Sequence, residues 1–428
     1  MTAREGSIHA VEKVRVLQRK LYRVAKAQPR RAFGVLYDKV CLMEVLETAW
    51  EQVRRNRGSA GVDGETIADL EAYGVDRFLR ELQEDLRRQR YRPEPVRRVY
   101  IPKPDGRRRP LGIPGVRDRV VQAAVRLVVE PLFEASFRPD SYGFRPKRGA
   151  RQAIEAIRGE VNRGRSEVID LDLESYFDTI DHDLLMKLVR RRVRDPRVLR
   201  LIRRWLRVGV LLDGVREASL VGTPQGGVIS PLLANIYLHP LDVHWEREMR
   251  ATRMIRYADD AVVLCPKGHA EEAMLELRRF LGRLKLSLNE EKTHVTTART
   301  GFDFLGVHIR QRPSRRNPGR LWCYAWPSRR SMGRIRAKVR AATHRRDSCP
   351  SLAEKVRQLN PLLRGWGNYF RRLNSGEHFI KVDHYVWYRL GRWLSRKHHG
   401  GWHFASSTTA LYRRAGLYTL CGTVRYAR

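Results

Sequence analysis

Residues 254–264 read MIRYADDAVVL, with Asp259 and Asp260 side by side among mostly apolar neighbours. Strands MIRY and AVVL would leave Ala258, Asp259, Asp260 and Ala261 at a turn. Two carboxylates fixed at one turn repel each other unless a cation compensates them. A second acidic stretch, SEVIDLDLESYFD, lies upstream, and 259 − 172 = 87 positions separate its Asp172 from Asp259. Strand alternation puts Ile169, Leu171 and Leu173 on one face and Val168, Asp170 and Asp172 on the other. If the two stretches are sheet neighbours, three carboxylates gather with no His or thiolate among them. Hard oxygen ligands of that kind select Mg²⁺, an ion that also holds substrate phosphates.

The competing reading is an Asp-Asp turn exposed to water, and for the dipeptide alone it is the better one. The apolar flanks, the second acidic strand and the charge of the chain reverse that preference. Lys and Arg number 85 against 47 Asp and Glu, a net charge of +38 over 428 residues. With 42% hydrophobic residues the chain can bury a core, so it is globular and not disordered. A globular protein with this excess is expected on a polyanion, most simply nucleic acid. A ribosomal-type or histone-type basic protein is the plain alternative, and neither reading by itself names a chemistry. On a nucleic acid, a two-metal clamp would activate a 3′-hydroxyl and stabilise departing pyrophosphate.

The elements that must position these groups follow from periodicity. Residues 8–57 predict two basic amphipathic helices broken near Pro29, the second supplied by VLYDKVCLMEVLETAWEQV. NRGSAGVDG at 56–64 is a loop, and DRFLRELQEDLRRQR is a helix. RRVYIPKPDGRRRPLGIP predicts a hairpin turning at Pro104-Asp105-Gly106, and RVVQAAVRLVVEPLFEASF a buried helix. From residue 166 short strands and helices alternate, predicting an α+β region with helices on one face of a sheet. QRPSRRNPGR at 311–320 reads as a charged linker, and 328–395 as a basic helical region. In GTPQGGVISPLLANIYLHPLD, Gly222, Gly226 and Gly227 permit close backbone approach and Gln225 offers an amide. Ser230-Pro231 then starts a helix with Ser as N-cap and an apolar face of Leu232, Leu233, Ile236 and Tyr237.

Tyr257-Ala258-Asp259-Asp260 and Asp172-Leu173-Glu174-Ser175-Tyr176-Phe177-Asp178 resemble the palm motifs of reverse transcriptases, specifically those encoded by group II introns. Viral RNA-dependent RNA polymerases usually carry Gly before the Asp pair, so Tyr257-Ala258 argues against them. Alternation leaves Asp170 and Asp172 open; the resemblance selects Asp172. It implies a right-hand polymerase of fingers and palm, the palm an antiparallel sheet backed by helices, followed by a helical thumb. Asp172, Asp259 and Asp260 become the catalytic residues. Asp172, Leu173, Asp259 and Asp260 become the ligands of two Mg²⁺ ions, for which Mn²⁺ is a possible substitute.

The resemblance further implies nucleotide contacts by Lys103, Arg109, Phe177 and Gln225. Lys103 and Arg109 would hold the triphosphate, and Phe177 would lie beneath the sugar and exclude a 2′-hydroxyl. On sequence alone Phe177 reads equally well as a core ring beside Tyr176. Arg107 and Arg108 read as a solvated basic turn. SYGFRPKRGARQAI, with Phe144 and Arg145, resembles a fingers motif that holds template backbone, although Gly149 stands where Ser is expected. Arg145, Tyr257, Lys292 and Gly306 are the implied template and primer contacts, the last within FLGVHI.

Outside the core, NRGSAGVDG resembles a loop of the N-terminal extension of non-retroviral enzymes, and NPLLRGWGNYFRRLN at 360–374 the maturase-specific thumb. The implied domains are an N-terminal extension (1–65), fingers (66–165, with palm entry strands near 96–113), palm (166–312), helical thumb or maturase domain (321–395) and a basic segment (396–428) that is at most DNA-binding. The chain stops without the paired cysteines of an H-N-H endonuclease, so second-strand cleavage is not expected. His398, His399 and His403 read as solvated residues, not a metal site. Cys41, Cys265, Cys323, Cys349 and Cys421 show no zinc-ligand spacing and suit a reducing compartment. With neither a secretory signal nor an apolar run long enough to span a bilayer, a cytoplasmic protein with no membrane partner is expected. The implied partners are an RNA template, intron RNA, a DNA primer or target, and dNTPs. Besides polymerisation, two further readings stand: an RNA-binding splicing cofactor on a polymerase scaffold, and a domesticated defence or repair reverse transcriptase.

Overall fold

The computed structural model describes residues 3–102, 106, 108–212, 215–217, 221–223, 226–314, 317–344, 351–397 and 408–425. Helices and sheets are mixed, as the α+β reading requires. The strands are β1 (Val96–Pro102), β2 (Arg108–Ile113), β3 (Glu167–Leu171), β4 (Val210–Leu212), β5 (Val215–Glu217) and β6 (Arg253–Tyr257). They continue with β7 (Asp260–Cys265), β8 (His294–Thr297), β9 (Phe302–Phe304), β10 (Val307–Pro313) and β11 (Leu321–Pro327). Among the described residues these strands form three sheets, ordered β2-β1-β4-β5, β6-β7-β3-β8 and β11-β10-β9. The chain divides into two compact units, Met1–Gly149 with Leu171–Val262 and Glu271–Thr293, and Ala150–Asp170 with Val263–Ala270 and His294–Arg428.

The first unit is built on the helix Val116–Glu134, which is buried on nearly every turn and takes the polar Asp118, Arg119 and Gln122 into the interior with its apolar residues. It packs against the helices Ala3–Ala27 and Met43–Arg55. Burying helix ends strands their carbonyls, and one side chain meets that demand here. Arg192 donates to the carbonyls of Ala25, Gln28, Pro29, Arg31 and Leu132. Asp195 acts as N-cap of the helix Pro196–Arg207 and also accepts from the amides of Leu36 and Tyr37, at 2.9 and 2.8 Å. The expected second N-terminal helix is interrupted at Cys41-Leu42, giving Tyr37–Val40 and Met43–Arg55. The expected hairpin is present, β1 pairing antiparallel with β2 from Arg97↔Ile113 to Pro102↔Arg108.

The second unit holds the β11-β10-β9 sheet, the helix Ala150–Asn162 against β11, and the helices Arg329–Ala342, Leu352–Phe370 and Gly376–Lys397. The linker expected at 311–320 is corrected. Its first residues extend β10, which returns as β11 in register Pro313↔Leu321, so this stretch is a hairpin end. Cys323 and Ala325 on β11 are wholly buried, and that burial drives the pairing. Near the C-terminus, Asp383 accepts from the amides of Leu420 and Cys421, and Asn360 from that of Tyr418 at 2.8 Å. His398, His399 and His403 lie outside the described residues. Among the described residues, no helix is long and apolar enough to cross a membrane.

Candidate metal-dependent active site

The acidic turn is tighter than alternation suggested. β6 ends at Tyr257, Ala258 and Asp259 form the turn, and Asp260 already begins β7. Ala258 takes a left-handed φ of 60°, which lets two strands reverse in two residues. Behind the turn, Val262, Val263, Leu264 and Cys265 are fully buried, so β7 is a rigid base. The two carboxylates part company: Asp259 is half-buried and Asp260 is exposed.

Asp259 carries an electrostatic load. Burial raises its pKa above the usual carboxylate range, and the negative charge of Asp172 adds to the rise. Its own backbone hydrogen bond and the cations Arg109 and Arg256 oppose that rise without cancelling it. Asp172 and Asp259 therefore share one field despite their separation in sequence. A half-buried anion beside a second anion is a place where a divalent cation gains energy.

Asp172 sits just beyond the end of β3 and is stitched to residues 287–293. Its carbonyl accepts from the amide of Asn289 at 2.9 Å, and its own amide donates to Thr293 Oγ1 at 3.2 Å. Leu173 forms an antiparallel bridge with Leu288. Asp172 Oδ2 lies 3.1 Å from Lys292 Nζ. Leu173 has a buried side chain without donor atoms, so only its carbonyl is suited to a cation. Val168, expected to share the face of Asp172, is wholly buried, because β3 lies inside the sheet with cover on both faces. Among the described residues no three acidic, His or Cys side chains stand together as a ready ligand cage. The donor set is all oxygen, which fits Mg²⁺ or Mn²⁺ and does not fit a soft metal.

Next to Asp172, Ser175 is left-handed and opens the short helix Tyr176–Thr179. Phe177 is buried, edge-on to Tyr176 at 5.4 Å, and its carbonyl accepts from the amide of Thr223 at 2.7 Å. The glycines earn their place by close approach. A Cβ on Gly222 would stand 3.0 Å from Asp178 Cα and from the Phe177 carbonyl oxygen, and one on Gly226 would fall on the Gly112 carbonyl of β2. Ser230 is not the N-cap. Ile229 holds that position with no side-chain cap, and just before the helix Gln122 accepts from the amide of Val228 at 2.8 Å. Gln225 and Lys103 lie outside the described residues.

Arg109 is exposed on β2, and its charge reaches Asp259. Arg145 is corrected as a template contact. Its guanidinium forks onto Glu134 at 2.9 and 2.7 Å, donates to the carbonyls of Arg138 and Ser141, and stacks on Phe137. It is used up inside the protein, while its neighbour Phe144 is exposed with a φ of 56°. Tyr257 is half-buried at the end of β6, and Lys292 pairs with Asp172. In the second unit Gly306, φ 77°, accepts from Ser331 Oγ at 2.6 Å and borders a groove of about 510 Å³ that includes Arg334, Lys338 and Trp366. Sequence reasoning missed Arg256, Asn235 and Asp242, polar residues buried behind the turn. The available signal was an arginine inside the apolar strand of MIRY.

The reverse transcriptase (RNA-dependent DNA polymerase) family matches residues 101–309, and the maturase-specific domain of group II introns matches residues 332–408. Protein YkfC of Escherichia coli is 37% identical over 341 residues, 70% of this chain and 89% of that protein. The group II intron-encoded protein LtrA of Lactococcus lactis subsp. cremoris is 30% identical over 350 residues, 66% of this chain and 57% of that protein. The putative COX1/OXI3 intron 1 protein of Saccharomyces cerevisiae is 29% identical over 331 residues, 64% of this chain and 39% of that protein. The chain thus spans little more than half of LtrA and less of the yeast protein.

Proposed function

Because the chain belongs to the family of group II intron-encoded reverse transcriptases and maturases, we propose that it copies RNA into DNA at Asp172, Asp259 and Asp260. The observation that carries this reading is the half-buried Asp259, raised in pKa beside Asp172 and within the field of Arg109. Asp172, Asp259, Asp260 and the carbonyl of Leu173 would hold the metal. Two Mg²⁺ ions, or Mn²⁺ in their place, would assist loss of the 3′-hydroxyl proton and neutralise the leaving pyrophosphate when bound. Arg109 and Lys103 would grip the triphosphate, and Phe177 would close the space beside C2′ of the incoming dNTP. In this reading residues 66–165 act as fingers, 166–312 as palm and 321–395 as thumb. The template is RNA and the primer DNA.

A second role fits the same chain. The maturase-specific match at 332–408 and the +38 charge support binding of intron RNA for splicing and retrohoming. Asp259→Asn separates the two: DNA synthesis on an RNA template is lost, while RNA binding and splicing persist. Retained synthesis by Asp259→Asn would overturn the polymerase reading. Splicing that collapses with RNA binding intact would overturn the separation of roles. A defence or repair reverse transcriptase would share the first result and show no splicing.

A further inference from the structure

Behind the acidic turn lies a buried polar cluster whose members touch neither substrate nor metal in the scheme above. Arg256, in β6, is 2% exposed. Its Nε and Nη2 donate to Asp242 Oδ1 at 2.8 Å and Oδ2 at 2.5 Å. Its Nη1 donates to Asn235 Oδ1 at 2.9 Å and to the carbonyl of Ala258 at 2.7 Å. Asn235 Nδ2 in turn donates to the carbonyl of Gly143 at 2.9 Å. The backbone repeats the connection, with Arg256 N donating to Asp140 O at 2.9 Å and Tyr142 N to Arg256 O at 2.8 Å.

The chemistry of the cluster is selective. A guanidinium alone offers a fork for the Asp242 carboxylate and a separate nitrogen for two further acceptors; an ammonium cannot hold all of them at once. A buried ion pair is weak evidence for stability, since apolar residues of equal volume often serve as well. What this pair does achieve is to fix the Ala258 carbonyl, the peptide that leads directly into Asp259. That peptide needs fixing, because Ala258 holds a left-handed φ of 60° with a Cβ present. Gly143 supplies the backstop: a Cβ there would fall on Ala258 N and stand 2.8 Å from Tyr257 C.

We propose that Arg256, braced by Asp242 and Asn235, is the positioning residue of the acidic turn, gripping the Ala258 carbonyl while the preceding Tyr257–Ala258 peptide seats against Gly143, so that Asp259 meets the metal. This rests on the reading that Asp259 holds metal. Residues 140–143 are then part of the catalytic element, hydrogen-bonded to it at the backbone and through Asn235.

The test compares Asn235→Ala, Arg256→Lys and Gly143→Ala with Asp259→Asn in the full chain. Gly143→Ala removes no buried charge, so it remains informative if another variant folds poorly. Hydrogen exchange over residues 253–262 of the metal-free protein should quicken about tenfold or more in each of the first three, with the helix Val116–Glu134 unaffected. Electron paramagnetic resonance titration with Mn²⁺ should show weaker binding, and kcat should fall about tenfold to a hundredfold with nucleotide KM unchanged. Unaltered exchange and Mn²⁺ binding in folded variants would overturn the positioning role alone, provided that Asp259→Asn loses both Mn²⁺ and synthesis. If Asp259→Asn keeps both, the underlying metal reading is what fails.

Discussion

Lys292 Nζ lies 3.1 Å from Asp172 Oδ2, so a lysine 120 positions downstream in the chain sits on a carboxylate of the acidic site. Both side chains are partly open to water, which limits the strength of their pairing. A lysine there competes with a metal ion for the same oxygen. Lys292→Met should therefore tighten Mn²⁺ binding to the nucleic-acid-free protein by about twofold to fivefold. Electron paramagnetic resonance titration reads this directly, and weaker Mn²⁺ binding would contradict it.

Arg145 should behave as a structural residue. Arg145→Ala leaves Glu134 without its buried partner and should cost about 3 kcal/mol of stability. Because the guanidinium meets no phosphate, the slope of log RNA affinity against log salt should stay unchanged. Thermal unfolding and salt-dependent RNA binding check the two halves. A slope lowered by about one unit would return Arg145 to the template.

Buried Asp118 and half-buried His239 give the stability curve opposite tilts. Asp118 is raised from 3.8 to about 6 by burial, despite hydrogen bonds from Tyr91 and Glu94 that oppose it. Between those values the folded state binds more protons than the unfolded, so stability falls as pH rises. His239 is lowered from 6.5 to about 4 by burial, so here the unfolded state binds more protons and stability rises with pH. The two largely offset each other between about pH 4 and 6. Relative to the parent, Asp118→Asn should steepen acid destabilisation across that window and His239→Gln should flatten or invert it. Denaturant unfolding at a series of pH values decides, and parallel curves would refute both assignments.

Phe177 should govern the choice of sugar. Phe177→Ala opens space beneath the nucleotide and should raise ribonucleotide incorporation relative to deoxyribonucleotide by about tenfold or more. Single-nucleotide extension with matched dNTP and rNTP measures the ratio. An unchanged ratio would leave Phe177 as a core ring held by Tyr176.

The acidic strand ends, the hairpin at 96–113 and the buried helix at 116–134 were readable because each rests on local periodicity or on a run of matching residues. What escaped depended on partners distant in the chain. Ser230 looked like a cap, but it already lies inside the helix, and the loop before it is held by Gln122, 106 positions from Val228. The motif around Arg145 resembles one that holds template backbone, and the guanidinium fork binds carboxylate and phosphate alike; only Glu134, folded against it, distinguishes the two. Asn235 and Asp242 were hidden in a helix with apolar residues on both sides, so no single face marked them.

The central claim is that Asp172 and Asp259 hold divalent metal on which DNA synthesis depends. Anomalous X-ray scattering from crystals of the chain with Mn²⁺, an RNA template, a DNA primer and an unreactive dNTP analogue tests it most directly. Peaks in contact with both carboxylates and the triphosphate are the result expected. Mn²⁺ located elsewhere, with Asp172 and Asp259 untouched beside a bound nucleotide, would contradict it.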